Sequence, residues 1–176
     1  MPLFSQARGP MIGHAWTALC KRCTVDRDTD RVSLETLEII SIGKPDDGEP
    51  ALVPCRLEIV SLWYRQDPDR GGQQRARVCV VSPDLIALAR LSVDIDLRLT
   101  QRVRTRCVID SLVVQRPGIY FVTIDVLDAA PPREVARVPL QIELAASARR
   151  HFQLTSTSQF TSTSTVLPLP SWRCIG

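Results

Sequence analysis

The chain has 176 residues, of which 44% are hydrophobic and 23% charged, and a formal net charge of +3. These values suit one folded globular domain, and so small a positive charge does not by itself argue for nucleic acid. Arg supplies 20 of the 22 basic residues and Asn is absent, which excludes an N-glycosylation acceptor; GC-rich codon use explains this bias more simply than selection of Arg for anion recognition.

Residues 1–11 read as an N-terminal arm, or in part as an over-long gene start, because Met11 stands just ahead of the first strand-like run. The opening lacks a charged start followed by an apolar stretch, and no apolar run reaches about 18 residues. A cytoplasmic protein without a membrane partner is therefore expected.

From residue 14 to residue 144, Val, Ile, Leu and Thr alternate with polar residues. Period two means strands, and many short strands predict an all-β protein. Residues 14–25 form the first expected strand. The turn Asp26-Arg27-Asp28-Thr29-Asp30 leads to a second over 32–42. A Gly/Pro/acid loop over 43–54 precedes a strand over 56–65 that carries Trp63. Residues 66–74, with Gly71-Gly72, read as a mobile loop before a strand over 75–81. Ser82-Pro83-Asp84 makes a turn or a single helical turn.

Leu91, Val93, Ile95, Leu97 and Leu99 define one face of the next strand, and Val103–Val114 follows. A hairpin joined by Thr100-Gln101-Arg102 would set Leu99 opposite Val103 and Asp96 opposite Arg106. Strands over 118–127 and 135–144 complete a set of about eight. Pro139 cannot donate to a ladder, which places that strand at an edge. Residues 147–176, rich in Ser and Thr, read as a flexible low-complexity tail. The domain proper is expected over 12–146.

Pro117-Gly118-Ile119-Tyr120-Phe121-Val122 resembles the strand entry of immunoglobulin-like and fibronectin-type sandwiches, where a Gly turn precedes a Tyr that opens an inward series. Trp63 would suit the core Trp of such folds. Val122 stands where antibody domains carry a cysteine, so their inter-sheet disulfide is not implied. Residues 15–144 are also similar to a group of uncharacterised bacterial immunoglobulin-like proteins. The similarity rests on Ala18-Leu19-Cys20, Asp28-Thr29 with Ser33-Leu34, Val60–Trp63, Val81-Ser82-Pro83 and Gly118–Phe121. It implies an antiparallel immunoglobulin-like β-sandwich and a bacterial cytosol, and it implies no activity.

Cys20 and Cys23 form a CKRC pair. In an extended strand, residues three apart point to opposite faces, so these thiols are not expected to share a metal. Cys55, Cys79, Cys107 and Cys174 are scattered singly. All six are expected as unpaired thiols with no bound metal. The acidic groups Asp26/Asp28/Asp30 and Asp46/Asp47/Glu49 lack a calcium-loop pattern. His14 and His151 lie outside the strand core, and no nucleophile elbow or phosphate loop appears. No catalytic residue and no cofactor is assigned.

The remaining feature is basic. Arg102, Arg104 and Arg106 share one face of a strand, and Arg75 and Arg77 share a face of another. Side by side they would make an interaction strip. The reading is a non-catalytic interaction or structural module with a protein partner, its arginines paired internally. One alternative is a module that binds nucleic acid or another polyanion through the strip. Another is an enzyme with an unrecognised site.

Overall fold

Alternating residues bury one face and wet the other, and in this chain the alternation yields two sheets around a shared core. A computed structural model describes residues 12–43, 50–128 and 131–145, and the backbone of 172–175. The strands are β1 (Ile12–Val25), β2 (Val32–Thr36), β3 (Ile39–Ile42), β4 (Ala51–Arg65), β5 (Gln73–Val81), β6 (Ala87–Asp96), β7 (Arg102–Val114), β8 (Gly118–Val126) and β9 (Arg133–Leu144). A short β10 (Trp172–Ile175) follows. One sheet is antiparallel in the order β7-β4-β1-β2, and the other runs β3-β9-β8-β5-β6 with a half-barrel curl. The expected arm and most of the expected tail lie outside the described residues. Within that tail, β10 pairs with β7 at the edge of the first sheet.

The single strand expected over 32–42 is two strands in different sheets. Thr36 still pairs with Cys20 of β1, and Leu37 N–H then donates to the Leu19 carbonyl. The chain next crosses over, and β3 runs beside Ile142 of β9 in parallel. The second sheet is therefore mixed rather than antiparallel. β9 is not the edge strand expected from Pro139, since it lies between β3 and β8, but among the described residues β3 pairs only with Gln141–Leu144 and stops short of Pro139. Gln141 N–H donates toward Glu38, and the Pro139 nitrogen, two residues earlier, faces the same way into the uncovered part of that edge.

The β6–β7 hairpin is not formed, because these strands belong to different sheets. β6 stops at Asp96, whose carboxylate accepts from Arg98 N–H. Arg65 then donates to the Leu97 and Arg98 carbonyls, so the polar groups that would turn the chain back are already taken. Leu97 stays buried but Leu99 is 96% exposed. The 66–74 loop, expected to be mobile, is tied to the same place. Arg65 also bonds the Pro68 carbonyl, and Leu97 N–H donates to Gly72. A Cβ on Gly71 would stand 2.7 Å from the Arg98 Cα, so only glycine lets the two backbones approach this closely. Ser82–Ile86 forms a turn closed by the Ser82 hydroxyl.

The core joins Leu19, Ile59 and Trp63 of the first sheet to Val78, Ile95, Val122 and Leu140 of the second. Tyr120, Val122, Ile124 and Val126 face into it, as the alternation predicts. The Tyr120 hydroxyl donates to the Arg116 carbonyl at 2.8 Å and accepts from Gln115 N–H. A buried phenol is thereby satisfied while it fixes the entry to β8. Gly118, at φ 147°, makes that entry, and a Cβ there would meet the Pro83 ring at 2.9 Å.

Candidate functional site

The sheets separate the five arginines of the expected strip. Arg75 and Arg77 lie on the outer face of β5, and Arg102, Arg104 and Arg106 on the outer face of β7, in the other sheet. They do not stand side by side. Each group instead meets local carboxylates. Arg75 Nε donates to Asp94 at 3.0 Å, and Arg77 to Asp125 at 2.8 Å. Arg104 makes a two-pronged pair with Asp30, 2.6 Å at the shorter contact, and this holds the Asp30 carboxyl below its ordinary range. Asp26 caps the same turn, accepting from Asp28 and Thr29 N–H. The acidic run is thus a turn that presents Asp30 to β7. Arg102 lines a shallow pocket with Tyr64, Arg65 and Gln101.

The centre of this face is Glu58 of β4, whose side chain has no exposed surface. Arg106 bonds it twice, at 2.6 and 2.9 Å, Arg56 donates at 3.0 Å, and Cys23 N–H donates at 2.8 Å. Burial alone would raise the Glu58 pKa, but these donors outweigh it and hold the group below the usual carboxylate range. Glu58 stands in no recognised sequence motif. The available signal was a lone acid between Leu57 and Ile59 in a strand, with Arg56 beside it.

Cys20 and Cys23 correct another expectation. The register of β1 slips between Cys20 and Arg22, and the bulge turns Cys23 onto the same outer face as Cys20. Both join Val60 in a small cluster beneath Trp16, Val32 and Leu34. Burial, with Cys23 and Glu58 nearby, pushes the Cys20 thiol up to about 11. A thiol so disposed is a poor nucleophile at neutral pH. Among the described residues no cluster of His, Cys, Asp or Glu is arranged to hold a metal. Asp46, Asp47, Glu49 and His151 lie outside the described residues.

A second bulge, between His14 and Trp16, turns His14 toward Trp63, ring centroids 4.9 Å apart and edge to face. His14 Nε2 lies 2.7 Å from the Thr17 hydroxyl, which lies 2.8 Å from that of Ser61. With its proton on Nδ1, the neutral imidazole accepts from Thr17, and Thr17 accepts from Ser61. Burial lowers the His14 pKa from 6.5, against an opposing bond to the Trp16 backbone. The unfolded chain therefore binds this proton more readily than the folded one. The stability His14 contributes is present above about pH 6.5 and is lost as pH falls through the folded-state value. Denaturant midpoints between pH 7.5 and 5.5 should decline, and His14→Phe should flatten that decline. An unchanged slope in the variant would exclude His14 as the cause.

A groove of about 510 Å³ opens where the chain crosses between sheets, lined by Leu19, Leu37, Ile39, Ile119, Val138 and Pro139 among others. Ile39 is 48% exposed and Ile119 51%. Beside it runs the half of β9 that β3 leaves uncovered. No family model matches the chain, and no curated protein matches it.

Proposed function

We propose that this chain is a non-catalytic interaction module, an immunoglobulin-like sandwich acting in a bacterial cytosol, that receives a protein partner at the β9 flank. The Tyr120 corner and the buried Trp63 support the sandwich assignment. The observation that carries the role is the apolar groove beside an uncovered strand edge. An extended partner segment can add backbone hydrogen bonds to such an edge while its side chains fill the groove. Pairing of four of the five strip arginines with carboxylates ranks polyanion binding below this reading.

Ile39→Asp and Ile119→Asp test it, since both side chains are half exposed. A protein partner bound by the wild type should be lost by both variants with melting curves unchanged. Amides over 133–140 should gain exchange protection in the complex. Binding that survives both substitutions would overturn the reading. Binding instead to an oligonucleotide, with a steep salt dependence, would replace it with the polyanion alternative.

A further inference from the structure

The pocket that Arg102 lines sits at one end of the outer face of the first sheet and has a volume of about 330 Å³. Small-molecule sites begin at about 300 Å³. Leu62 and Tyr64 of β4 meet Arg102 of β7 there, and Tyr64 is the ladder partner of Arg102. Ala15 completes the wall from β1. It is the residue that the bulge between His14 and Trp16 inserts, and it contributes only a methyl group. The Tyr64 ring lies close over Gly13, where a Cβ would stand 2.5 Å from the ring carbon Cζ. Only glycine at this position leaves the ring its place in the wall.

The rim is tied down by its own hydrogen bonds. Arg65 N–H donates to the Gln101 carbonyl, and the Arg65 guanidinium donates to the carbonyls of Leu97, Pro68 and Arg98. These acceptors are neutral, so they fix the guanidinium without balancing its charge. Arg102 has no hydrogen bond or ion pair among the described residues, and neither does the Tyr64 hydroxyl. The lining thus carries two cations, Arg65 and Arg102, and no carboxylate. Arg104, two residues further along the same face of β7, has its charge met by Asp30.

We propose that this pocket binds a small organic acid with a flat apolar body. The carboxylate takes the planar fork of Arg102, with the fixed charge of Arg65 beside it, and the body lies against the Tyr64 ring and Leu62. A lone exposed ion pair would contribute little. Here a second cation and an apolar wall act on the same ligand, and the tied rim leaves little to order on binding. The pocket shares no residue with the β9 groove, so it does not depend on the protein partner proposed there.

The probe is naphthoate, with naphthylmethanol as its uncharged counterpart, titrated into the full chain and followed by amide NMR. Naphthoate should bind with a Kd below about 1 mM, and the amides of Ala15, Leu62, Tyr64, Gln101 and Arg102 should shift most. The alcohol should bind at least about tenfold more weakly. Arg102→Ala should weaken naphthoate at least about tenfold and leave the alcohol unchanged. Arg102→Lys should fall between, because an ammonium keeps the charge and loses the fork. Ala15 is exposed, so Ala15→Trp fills the pocket without disturbing the core and should abolish binding of both probes. Ile39→Asp, in the β9 groove, should leave naphthoate binding as it is. No saturable binding by about 5 mM would overturn the proposal. So would equal affinity for the acid and the alcohol, naphthoate binding that survives Ala15→Trp, or shifts centred on Leu37, Ile119 and Val138 instead.

Discussion

Replacing Glu58 with alanine should cost about 3–5 kcal/mol of folding stability, as expected when one partner of a buried ion pair is removed. The loss would come less from the missing carboxylate than from what it leaves behind. Arg106 would keep a guanidinium that is about two-thirds buried, now without an acceptor, and Cys23 N–H would lose its partner. Arg56 is 62% exposed and can turn to water, so Arg56→Ala should cost under about 1 kcal/mol. Glu58→Gln keeps shape and two acceptor lone pairs but loses the charge that balances Arg106, and should fall between. Replacing Glu58 and Arg106 together by Leu and Met should recover most of the loss, because the desolvation of both charges disappears with them. The denaturant midpoint at constant slope reads each of these. A cost below about 1 kcal/mol for Glu58→Ala would mean that water reaches this carboxylate. Acid adds a second signature. Glu58 is held below its ordinary pKa, so its contribution is complete above the usual carboxylate range and fades as pH falls through the folded-state value.

How far this arrangement is legible in the sequence depends on the range of the contact that decides it. Strand faces are set by neighbours two residues apart, and there the alternation suffices: Tyr120, Val122, Ile124 and Val126 read inward and are inward. Wherever one extra residue enters, period two fails. The bulge near Lys21 puts Cys20 and Cys23 on one face, though three-residue spacing in a regular strand opposes them. The switch at Leu37 leaves a local mark, because the apolar phase of Val32 and Leu34 breaks at Thr36 and Glu38 and shifts to Leu37, but the Leu19 carbonyl that receives Leu37 N–H belongs to another strand and cannot be read from that mark. Charge pairing is the least legible. Arg104 finds Asp30 across 74 positions and Arg106 finds Glu58 across 48, while the expected Asp96 bonds Arg98 two residues away. Internal pairing is expected from Asp94 and Asp96, and of these Asp94 meets Arg75 while Asp96 meets Arg98; the other partners follow from strand order, which composition does not contain.

Trp63→Ala should also cost about 3–5 kcal/mol, for a different reason. The side chain is 1% exposed, among the largest in the core, and its indole N–H donates to the Thr105 hydroxyl at 3.0 Å. Truncation opens a cavity between the two sheets, strands the Thr105 hydroxyl and removes the ring against which His14 packs. Trp63→Phe separates these contributions. It retains most of the packing and loses the Thr105 bond, so it should cost about 1–2 kcal/mol. The His14 contact supplies a readout that a simple packing loss would not move. With the indole gone, water can reach the imidazole, and the burial that lowers its pKa is relieved. The decline of stability between pH 7.5 and 5.5 should therefore be shallower in Trp63→Ala than in the wild type, and nearly unchanged in Trp63→Phe. NMR titration of the His14 ring in folded protein follows the same shift directly, as a rise toward the ordinary histidine value. If Trp63→Ala costs under about 1 kcal/mol, the ring does not belong to the core. If it costs the full amount but leaves the His14 titration in place, the depressed pKa arises from the Thr17–Ser61 side of the pocket rather than from the indole.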